Sequence, residues 1–370
     1  MNAPRVRSGD AVSAIDTPAL VIDLDAMLRN LARMAEFAAQ HRMRLRPHAK
    51  MHKSATLAKL QIEAGAVGVC VQKVSEAEVL AAGGVADIFI SNEVIAEPKL
   101  ARVAALAHRV KLAIAVDSAL GVERLARALK AAGSSVDVFV EIDVGQGRCG
   151  VAPTAAGALA HQVVAHGLRF AGLQAYHGRA QHLREMAPRD AAVQHAVTLA
   201  RAAQASVTAA GIACPLVTGA GTGSFVFEAA SGVYGELQAG SYLFMDRDYG
   251  DNQPAAHAPK FEHALFVKSQ VMSRGASHAV VDAGHKAHAI DSGLPRVWGR
   301  DLEFTNGGDE HGILMPRGDG LPGLGDTVWL VPGHCDPTVN LHGHYVVVRG
   351  GLERGVVEAV WPVDARGCLI

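Results

Sequence analysis

The chain has 370 residues, 49% of them hydrophobic, and a formal net charge of −1. This size allows more than one domain, and the near-zero charge argues against a basic nucleic-acid-binding surface or an acidic tail. The N-terminal segment lacks an apolar core of signal-peptide length, and no apolar run is long enough to cross a bilayer. Five scattered cysteines do not indicate a disulfide framework, so we expect a cytoplasmic protein without membrane or nucleic-acid partners.

From about residue 40 to residue 245, strand-like apolar runs alternate with segments of helical spacing. The strand candidates begin near residues 43, 68, 87, 111, 136, 170, 216 and 236. This alternation predicts a parallel sheet, and eight such units in roughly 200 residues favour a (β/α)8 barrel. The alternative is an open doubly wound sheet, which is less favoured because no dinucleotide-binding fingerprint follows the first strand.

After about residue 259 the segments become short and β-rich, and Gly, Pro and Asp separate them. We predict strands at residues 264–272, 278–282, 325–331, 344–348 and 355–361, which would form a mostly antiparallel β domain. An early strand at residues 19–23, before a helix predicted over residues 25–41, is a candidate member of the same domain. The predicted division is a barrel over residues 25–255 and a β domain of residues 1–24 and 256–370, with residues 247–260 as the linker.

Lys50 lies where a short predicted strand gives way to a helix predicted over residues 54–65. At the C-terminal rim of a barrel this is a typical position for a reacting amine, and it suits covalent binding of an aldehyde cofactor. The alternative is a surface lysine in a basic turn, because Arg44, Arg46 and Lys53 are close in the sequence.

A glycine-rich loop at residues 219–224 follows the seventh predicted strand. Glycines allow backbone N–H groups to approach an oxyanion closely, and Thr222 and Ser224 add hydroxyl donors. Because barrels often bind phosphate after strands seven and eight, we favour a phosphate site over a flexible turn.

Two further loops follow the fifth and sixth predicted strands. Arg148 lies among three glycines that would direct its guanidinium inward, where it would keep a pyridine nitrogen unprotonated. A salt bridge from Arg148 to Asp143 or Glu141 is the alternative. Tyr176 is placed to pack beside a cofactor ring, and His182 is placed to act as a general base. The alternative for these two is ordinary core and surface packing.

His334 and Asp336 follow the predicted strand that ends at residue 331. Residues two apart in an extended backbone face the same side, so the two side chains would point together. One imidazole and one carboxylate suit a hard divalent cation such as Mn²⁺ or Mg²⁺. The alternative is a turn opened by an aspartate before proline.

Motifs along nearly the whole chain resemble PLP-dependent enzymes of the alanine racemase-like fold, in the group of D-threonine aldolases and D-serine dehydratases. These motifs are DTPALVIDLDA (16–26), RPHAKMHK (46–53), CVQKVSEAE (70–78), ISNEV (90–94), EIDVGQGRCGV (141–151), GLQAYHG (172–178), GTGS (221–224), ELQAGSYLFMD (236–246) and VPGHCDPT (331–338). The dehydratases of this group have cysteine where this chain has Asp336, so the resemblance favours the aldolases.

The resemblance implies roles around pyridoxal 5'-phosphate (PLP). Lys50 would bind the cofactor covalently, with Arg148 and Tyr176 beside its ring. Gln72 would line the pocket. The residues that would hold the phosphate are Gly221, Thr222, Gly223 and Ser224.

The implied activity is retro-aldol cleavage of β-hydroxy-D-amino acids of the D-threonine type to glycine and an aldehyde. His334 and Asp336 would bind a divalent cation near the β-hydroxyl, and His182 would receive its proton. Alternatives are cleavage of D-3-hydroxyaspartate to glycine and glyoxylate, dehydration of D-serine or D-threonine, and a non-catalytic PLP-binding protein. The resemblance also implies a homodimer.

Overall fold

The computed structural model describes residues 4–370. The helices are α1 (Leu24–Gln40), α2 (Ala55–Glu63), α3 (Val74–Ala82), α4 (Glu97–Leu106), α5 (Ala119–Ala132), α6 (Ala156–Ala165), α7 (Met186–Ala209), α8 (Phe225–Ala230), α9 (Arg247–Gly250) and α10 (Cys335–Leu341). The strands are β1 (Ala19–Asp23), β2 (Arg44–Leu45), β3 (Val69–Val71), β4 (Asp87–Glu93), β5 (Lys111–Val116), β6 (Asp137–Glu141), β7 (Arg169–Ala175), β8 (Val217–Gly219), β9 (Glu236–Leu237), β10 (Leu265–Arg274), β11 (Ala279–Val281), β12 (Arg296–Val297), β13 (Leu302–Asn306), β14 (Gly312–Pro316), β15 (Thr327–Val331), β16 (His344–Arg349) and β17 (Val356–Pro362).

The long helices begin and end at residues suited to those positions. The Asp23 side chain accepts a hydrogen bond from the Ala26 N–H and so caps α1. Ser118 caps α5 in the same way, and α5 ends at Gly133 in the left-handed conformation (φ 66°) that favours glycine. Among residues 4–370, no helix has both the length and the apolar character needed to cross a membrane.

Parallel strands form the predicted barrel in the order β2-β9-β8-β7-β6-β5-β4-β3. The two ends of this order meet, because the Val67 N–H donates to Leu45 O and the Cys70 N–H donates to Pro47 O, both at 2.8 Å. An isolated parallel bridge between His48 and Cys70 lies at the same junction. The sheet therefore closes on itself, and the open-sheet alternative is wrong.

The barrel interior is polar near its C-terminal end. Gln174 and Gln238 exchange amide hydrogen bonds of 3.1 and 2.7 Å, and Gln238 also donates to Thr218 Oγ1 at 2.8 Å. Glu236 is fully buried and accepts from Thr218 at 2.9 Å and from Arg46 Nε at 3.2 Å. Because these buried groups are paired with one another, they form an ordered layer in the barrel interior.

The second sheet contains the early strand and the C-terminal strands. Its order is β13-β14-β11-β10-β1-β16-β17, with β15 also pairing with β10 and β12 pairing with β15. β1 pairs antiparallel with β10 and parallel with β16, so the early strand belongs to this sheet. The other pairings are antiparallel, as predicted. The strands β12, β13 and β14 were not predicted from the sequence.

The extended backbone predicted around residues 334–336 is wrong. His334 is extended (φ −141°, ψ 135°), but the next residue begins the helix α10. Asp336 and Pro337 therefore lie in the first helical turn, where an acidic residue is favourable and a proline is tolerated.

The β domain contacts the chain segment that follows Lys50. The hydroxyl of Tyr345, a fully buried residue of β16, donates to the backbone oxygen of His52 at 2.6 Å. The Ala365 N–H donates to Lys53 O at 2.9 Å, and Asp364 Oδ2 accepts from the Ala55 N–H at the start of α2. Residues of the β domain thus fix the backbone of residues 52–55, which directly follow the Lys50 turn.

We predict that Tyr345→Phe lowers the free energy of unfolding by about 1–3 kcal/mol, because it leaves a buried backbone oxygen without its donor. Denaturant unfolding of the purified variant measures this change. An unchanged midpoint with an unchanged slope would show that this hydrogen bond does not hold the two parts together.

Candidate functional site

One cavity opens at the C-terminal ends of the barrel strands, and both sheets contribute to its wall. The predicted site residues on this wall are Lys50, Gln72, Arg148, Tyr176, His182, Gly221, Thr222, His334 and Asp336. The structure therefore brings together residues that are up to 286 positions apart in the chain, from Lys50 to Asp336. The other two predicted residues, Gly223 and Ser224, lie behind this wall.

Lys50 projects into this cavity from the 3-10 turn Ala49–Met51, which follows β2 after a three-residue link at positions 46–48. Its Nζ lies 3.4 Å from Asp336 Oδ2, and its side chain is 42% exposed to the cavity. Burial lowers the pKa of Lys50, but attraction by Asp336 and Tyr176 outweighs burial, so the pKa is raised. Lys50 is therefore cationic and must lose a proton before it can attack an aldehyde.

Lys53 is the other lysine of this segment, and its environment is different. Its Nζ lies 2.6 Å from Glu76 Oε1, and both side chains are buried. A buried lysine whose charge is compensated in this way is structural, so Lys50 is the amine that a ligand in the cavity can reach.

The glycine-rich loop presents Gly221 and Thr222 to the cavity. The loop turns at Ala220, whose φ of 70° is a left-handed conformation more common for glycine. Thr222 Oγ1 accepts a hydrogen bond from the Tyr242 N–H at 3.0 Å, which joins this loop to the turn after β9.

The second half of the loop is fixed by Gln181. The Gly223 N–H donates to Gln181 Oε1 at 2.9 Å, and Gln181 Nε2 donates to Ser224 Oγ at 2.7 Å. Ser224 Oγ in turn donates to Glu228 Oε1 at 2.7 Å, and Glu228 is buried. Gly223 and Ser224 thus shape the loop from behind in this structure.

Arg148 and Tyr176 lie together on one side of the cavity. The Arg148 guanidinium is 5.9 Å from the centre of the Tyr176 ring. Asp143 instead accepts hydrogen bonds from the Gly145 and Gly147 N–H groups at 2.9 and 3.0 Å, which fold the loop. The Asp143 side chain therefore holds its own loop, while the charge of Arg148 acts to lower the pKa of Glu141 against the stronger effects of burial and Glu93.

His334 and Asp336 face each other across 3.6 Å, from Nε2 to Oδ1. Behind them, His334 Nδ1 donates to Oδ2 of the fully buried Asp246 at 2.8 Å. Burial lowers the pKa of His334, but Asp336 and Asp246 outweigh it and raise the pKa to about 9. A carboxylate behind an imidazole whose other nitrogen faces a second carboxylate is typical of a metal-binding histidine.

His182 approaches the cavity from the turn Arg179–His182, and its side chain is half-exposed. Its Nδ1 donates to Asp248 Oδ2 at 2.7 Å. The Tyr249 ring lies between the two histidines, with its centre 6.0 Å from the ring centres of both His182 and His334.

Several residues of this site were not found by sequence reasoning. Asp248 and Tyr249 lie in α9, inside the segment predicted to be a linker, and Asp246 caps that helix. Each of them comes next to a predicted histidine only after folding, so spacing along the sequence could not indicate that it belongs to the site. The other cavity residues missed by the prediction include His48, Ser91, Gln174, Gln238 and Ser241.

A second cluster of possible metal ligands lies at the ends of β4 and β6. One ligand atom each of Glu93, Glu141 and Cys149 lies within 4.8 Å of the others. Burial and the neighbouring Glu93 raise the pKa of Glu141 to about 9. None of these three residues lines the cavity that contains Lys50, so this cluster is not part of that site.

Comparisons with known proteins agree with this geometry. The family model for the alanine racemase N-terminal domain matches residues 22–248, and the model for a putative serine dehydratase domain matches residues 264–348. The chain is 46% identical over 372 residues to a D-threonine aldolase of Arthrobacter sp, covering 98% of this chain and 96% of that protein. The chain belongs to the alanine racemase-like family that contains the D-threonine aldolases.

Two further members of this aldolase group are similarly close. A 3-hydroxy-D-aspartate aldolase of Paracoccus denitrificans (strain Pd 1222) is 45% identical over 365 residues, covering 96% of this chain and 93% of that protein. The crystal structure of D-threonine aldolase from Filomicrobium marinum superposes with a TM-score of 0.96 at 47% identity, with both chains fully covered. The fold of this alanine racemase-like protein is therefore the predicted barrel with a second β domain.

Membership of this family implies PLP, and the residues of the cavity fit that cofactor. An accessible lysine, a glycine-rich loop and an arginine beside an aromatic ring surround one space. These groups match an aldehyde, a phosphate and a pyridine ring respectively.

We predict that Glu228→Gln removes a pH-dependent loss of stability in the cofactor-free protein. Burial raises the pKa of Glu228 from 4.5 to about 7, although the Ser224 hydrogen bond opposes this. The stability from this group is complete below pH 4.5 and is lost as the pH rises through about 7.

Unfolding free energies at pH 5 and pH 8 test this effect. The drop between them should be smaller in Glu228→Gln than in the wild type, by up to roughly 3 kcal/mol. Glu123→Gln, at a 57% exposed side chain of α5, is the control and should retain the wild-type drop. Equal drops in all three proteins would contradict the assignment.

Proposed function

We propose that the protein cleaves β-hydroxy-D-amino acids of the D-threonine type to glycine and an aldehyde, with PLP and a divalent cation. The observation that carries this proposal is the 3.4 Å separation of Lys50 Nζ from Asp336 Oδ2 inside one cavity. A group bound at Lys50 therefore lies next to the His334 and Asp336 pair, so both can act on one small substrate.

The proposed cofactor site uses the Lys50 segment and the glycine-rich loop at the barrel rim. Lys50 would hold PLP covalently, and Gly221 and Thr222 would bind its phosphate directly, with Gly223 and Ser224 shaping the loop. Arg148 and Tyr176 would lie beside the ring, and Gln72 would line the pocket. PLP, when bound, supplies an electron sink for the electrons left at the α-carbon.

The proposed acid–base steps belong to two residues of the cavity wall, His182 and Lys50. His182 would take the proton from the β-hydroxyl through Nε2, because its Nδ1 is hydrogen-bonded to Asp248 and the neutral ring then has its lone pair on Nε2. Lys50 Nζ would return a proton to the α-carbon after the bond has broken. Retro-aldol cleavage requires a base at the β-oxygen, and the β domain brings its polar pair to that side.

The proposed metal ligands are His334 and Asp336. One nitrogen and one carboxylate oxygen with room for water suit Mn²⁺ or Mg²⁺. A cation bound there would lower the pKa of the β-hydroxyl. A non-catalytic PLP carrier would have no use for this pair, which argues against that alternative.

The second candidate substrate is D-3-hydroxyaspartate. It is favoured by the near-equal identity of 46% and 45% to relatives named for the two substrates. We also propose a homodimer, from the family resemblance, and a cytoplasmic location, from the five unpaired cysteines within residues 4–370.

Incubation with PLP, Mn²⁺ and a panel of β-hydroxy amino acids tests the proposed reaction. We expect glycine release from D-threonine or D-3-hydroxyaspartate and none from the L-isomers. Ammonia and a keto acid in place of glycine would assign the protein to the dehydratases instead.

We predict that Lys50→Ala abolishes both cleavage and the near-visible absorption of lysine-bound PLP, because none of the other cavity-lining residues in the described part of the chain is a lysine. Lys59→Ala, at an exposed position of α2, is the matched control and should retain both signals. A persisting absorption band in Lys50→Ala would place the cofactor lysine elsewhere.

We predict that chelation of divalent metal removes most of the cleavage activity while the cofactor absorption persists. Asp336→Asn should behave like chelated wild type, because it removes the charged oxygen ligand. Adding Mn²⁺ back is expected to restore activity to the wild type but not to Asp336→Asn. Full activity after rigorous chelation would refute the metal role.

A further inference from the structure

Asp248 is a buried carboxylate directly behind His182. It is 4% exposed, and its Oδ2 accepts from His182 Nδ1 at 2.7 Å. Its Oδ1 accepts from the Arg184 guanidinium. Burial raises the pKa of Asp248, but these two donors outweigh burial and lower it, so the group is a charged carboxylate. A carboxylate only accepts hydrogen bonds, so Nδ1 of His182 carries a hydrogen, and in the neutral imidazole the lone pair is on Nε2.

The backbone of Asp248 is bound to the other side of the site. Its N–H donates to Gly333 O at 3.0 Å, and the Arg247 N–H donates to Pro332 O at 3.0 Å. These two acceptors immediately precede His334 in the chain. Asp248 thus holds His182 with its side chain and the segment leading to His334 with its main chain.

The same turn holds the second histidine by the same arrangement. Asp246, two residues earlier, accepts from His334 Nδ1 at 2.8 Å and also caps α9 through the Tyr249 N–H at 2.9 Å. The Tyr249 ring fills the space between the two imidazoles. One four-residue helix therefore orients both histidines and sets the distance between them.

We propose that Asp248 is a positioning residue for the cleavage reaction, which holds the hydrogen of the neutral His182 ring on Nδ1 and directs the Nε2 lone pair at the β-hydroxyl. This inference deepens the proposed function and rests on the role proposed there for His182. Asp248 itself does not line the cavity wall, so it acts through the imidazole and through the turn that it belongs to.

The substitution Asp248→Asn separates charge from shape. Arg184 donates to Oδ1, so the asparagine keeps its oxygen on that side and turns its NH₂ group towards His182. Nδ1 of His182 must then accept a hydrogen bond, which moves the ring hydrogen to Nε2. The imidazole would stay in place but could no longer take a proton from the substrate.

Kinetics of the PLP- and Mn²⁺-loaded enzyme test the proposal through a double-mutant cycle. Asp248→Asn should lower kcat by about 100-fold with KM and the cofactor absorption nearly unchanged, which lies within the usual contribution of a general base. In a His182→Gln background the same substitution should have no further effect, because the two residues act as one unit. Asp251→Asn, at a partly exposed residue bonded to Arg247 and Arg296, is the control and should retain wild-type kcat.

A spectroscopic readout is independent of turnover. In protein labelled with ¹⁵N-histidine, His182 should show the Nδ1–H tautomer in the wild type and the Nε2–H tautomer in Asp248→Asn. The resonances of His182 are identified as those that disappear in the His182→Gln variant. A merely structural role for Asp248 would broaden or shift many histidine signals without exchanging this tautomer.

The possible outcomes are distinguishable. A large fall in kcat that disappears in the His182→Gln background, together with the tautomer exchange, supports the proposal. An equal fall in both backgrounds, or an unchanged tautomer, overturns it. Wild-type kcat for Asp248→Asn with a large loss for His182→Gln overturns the positioning role alone. Wild-type kcat for His182→Gln would overturn the proposed base and this inference together.

Discussion

The ion pair between Lys50 and Asp336 joins the two halves of this protein at the point where their chemistry meets. Lys50 comes from the barrel, Asp336 comes from the β domain, and Nζ and Oδ2 lie 3.4 Å apart. Positive and negative groups alternate outward from this contact, because Asp336 faces His334 and His334 is held by Asp246. The low pKa of about 2 for Asp336 reflects Lys50 and His334, which outweigh its burial. Each of these four charged groups compensates its neighbour, so none of them is an isolated buried charge.

The architecture around this contact explains what the β domain adds to the site at the barrel rim. Active sites of barrels lie at the C-terminal ends of the strands, and here that rim supplies the lysine, the glycine-rich loop and Arg148. The rim alone lacks the imidazole and carboxylate of residues 334 and 336. Tyr345 of β16 donates a hydrogen bond to the lysine segment. The helix α9, which holds His182, is itself hydrogen-bonded to the backbone of residues 332–333. The two sheets are therefore bound to each other at the residues that face the substrate.

Much of this fold could be predicted because its signals are local. Buried parallel strands followed by amphipathic helices produce a recognisable alternation, and the strands near residues 43, 68, 87 and 111 were found close to their observed starts. The motifs around Lys50 and Gly221 could be placed because they directly follow such strands. The short strands β12, β13 and β14 lack a long apolar run, and their pairing depends on partners that are distant in the chain.

The prediction for residues 334 and 336 shows the limit of reasoning from spacing. The pair was proposed to face one side of an extended strand, yet the backbone changes from extended to helical between the two residues. They still converge, because Asp246 holds the imidazole from behind. Asp246 and Asp248 escaped the prediction since a four-residue helix and its cap have no periodic pattern, and only the folded structure shows which histidine each carboxylate faces.

The most direct measurement of the central claim is anomalous X-ray scattering from a crystal loaded with PLP and Mn²⁺. The account predicts a manganese peak bound by His334 Nε2 and an Asp336 oxygen, in the same cavity as PLP attached to Lys50. A peak at Glu93, Glu141 and Cys149 with none between His334 and Asp336 would contradict it.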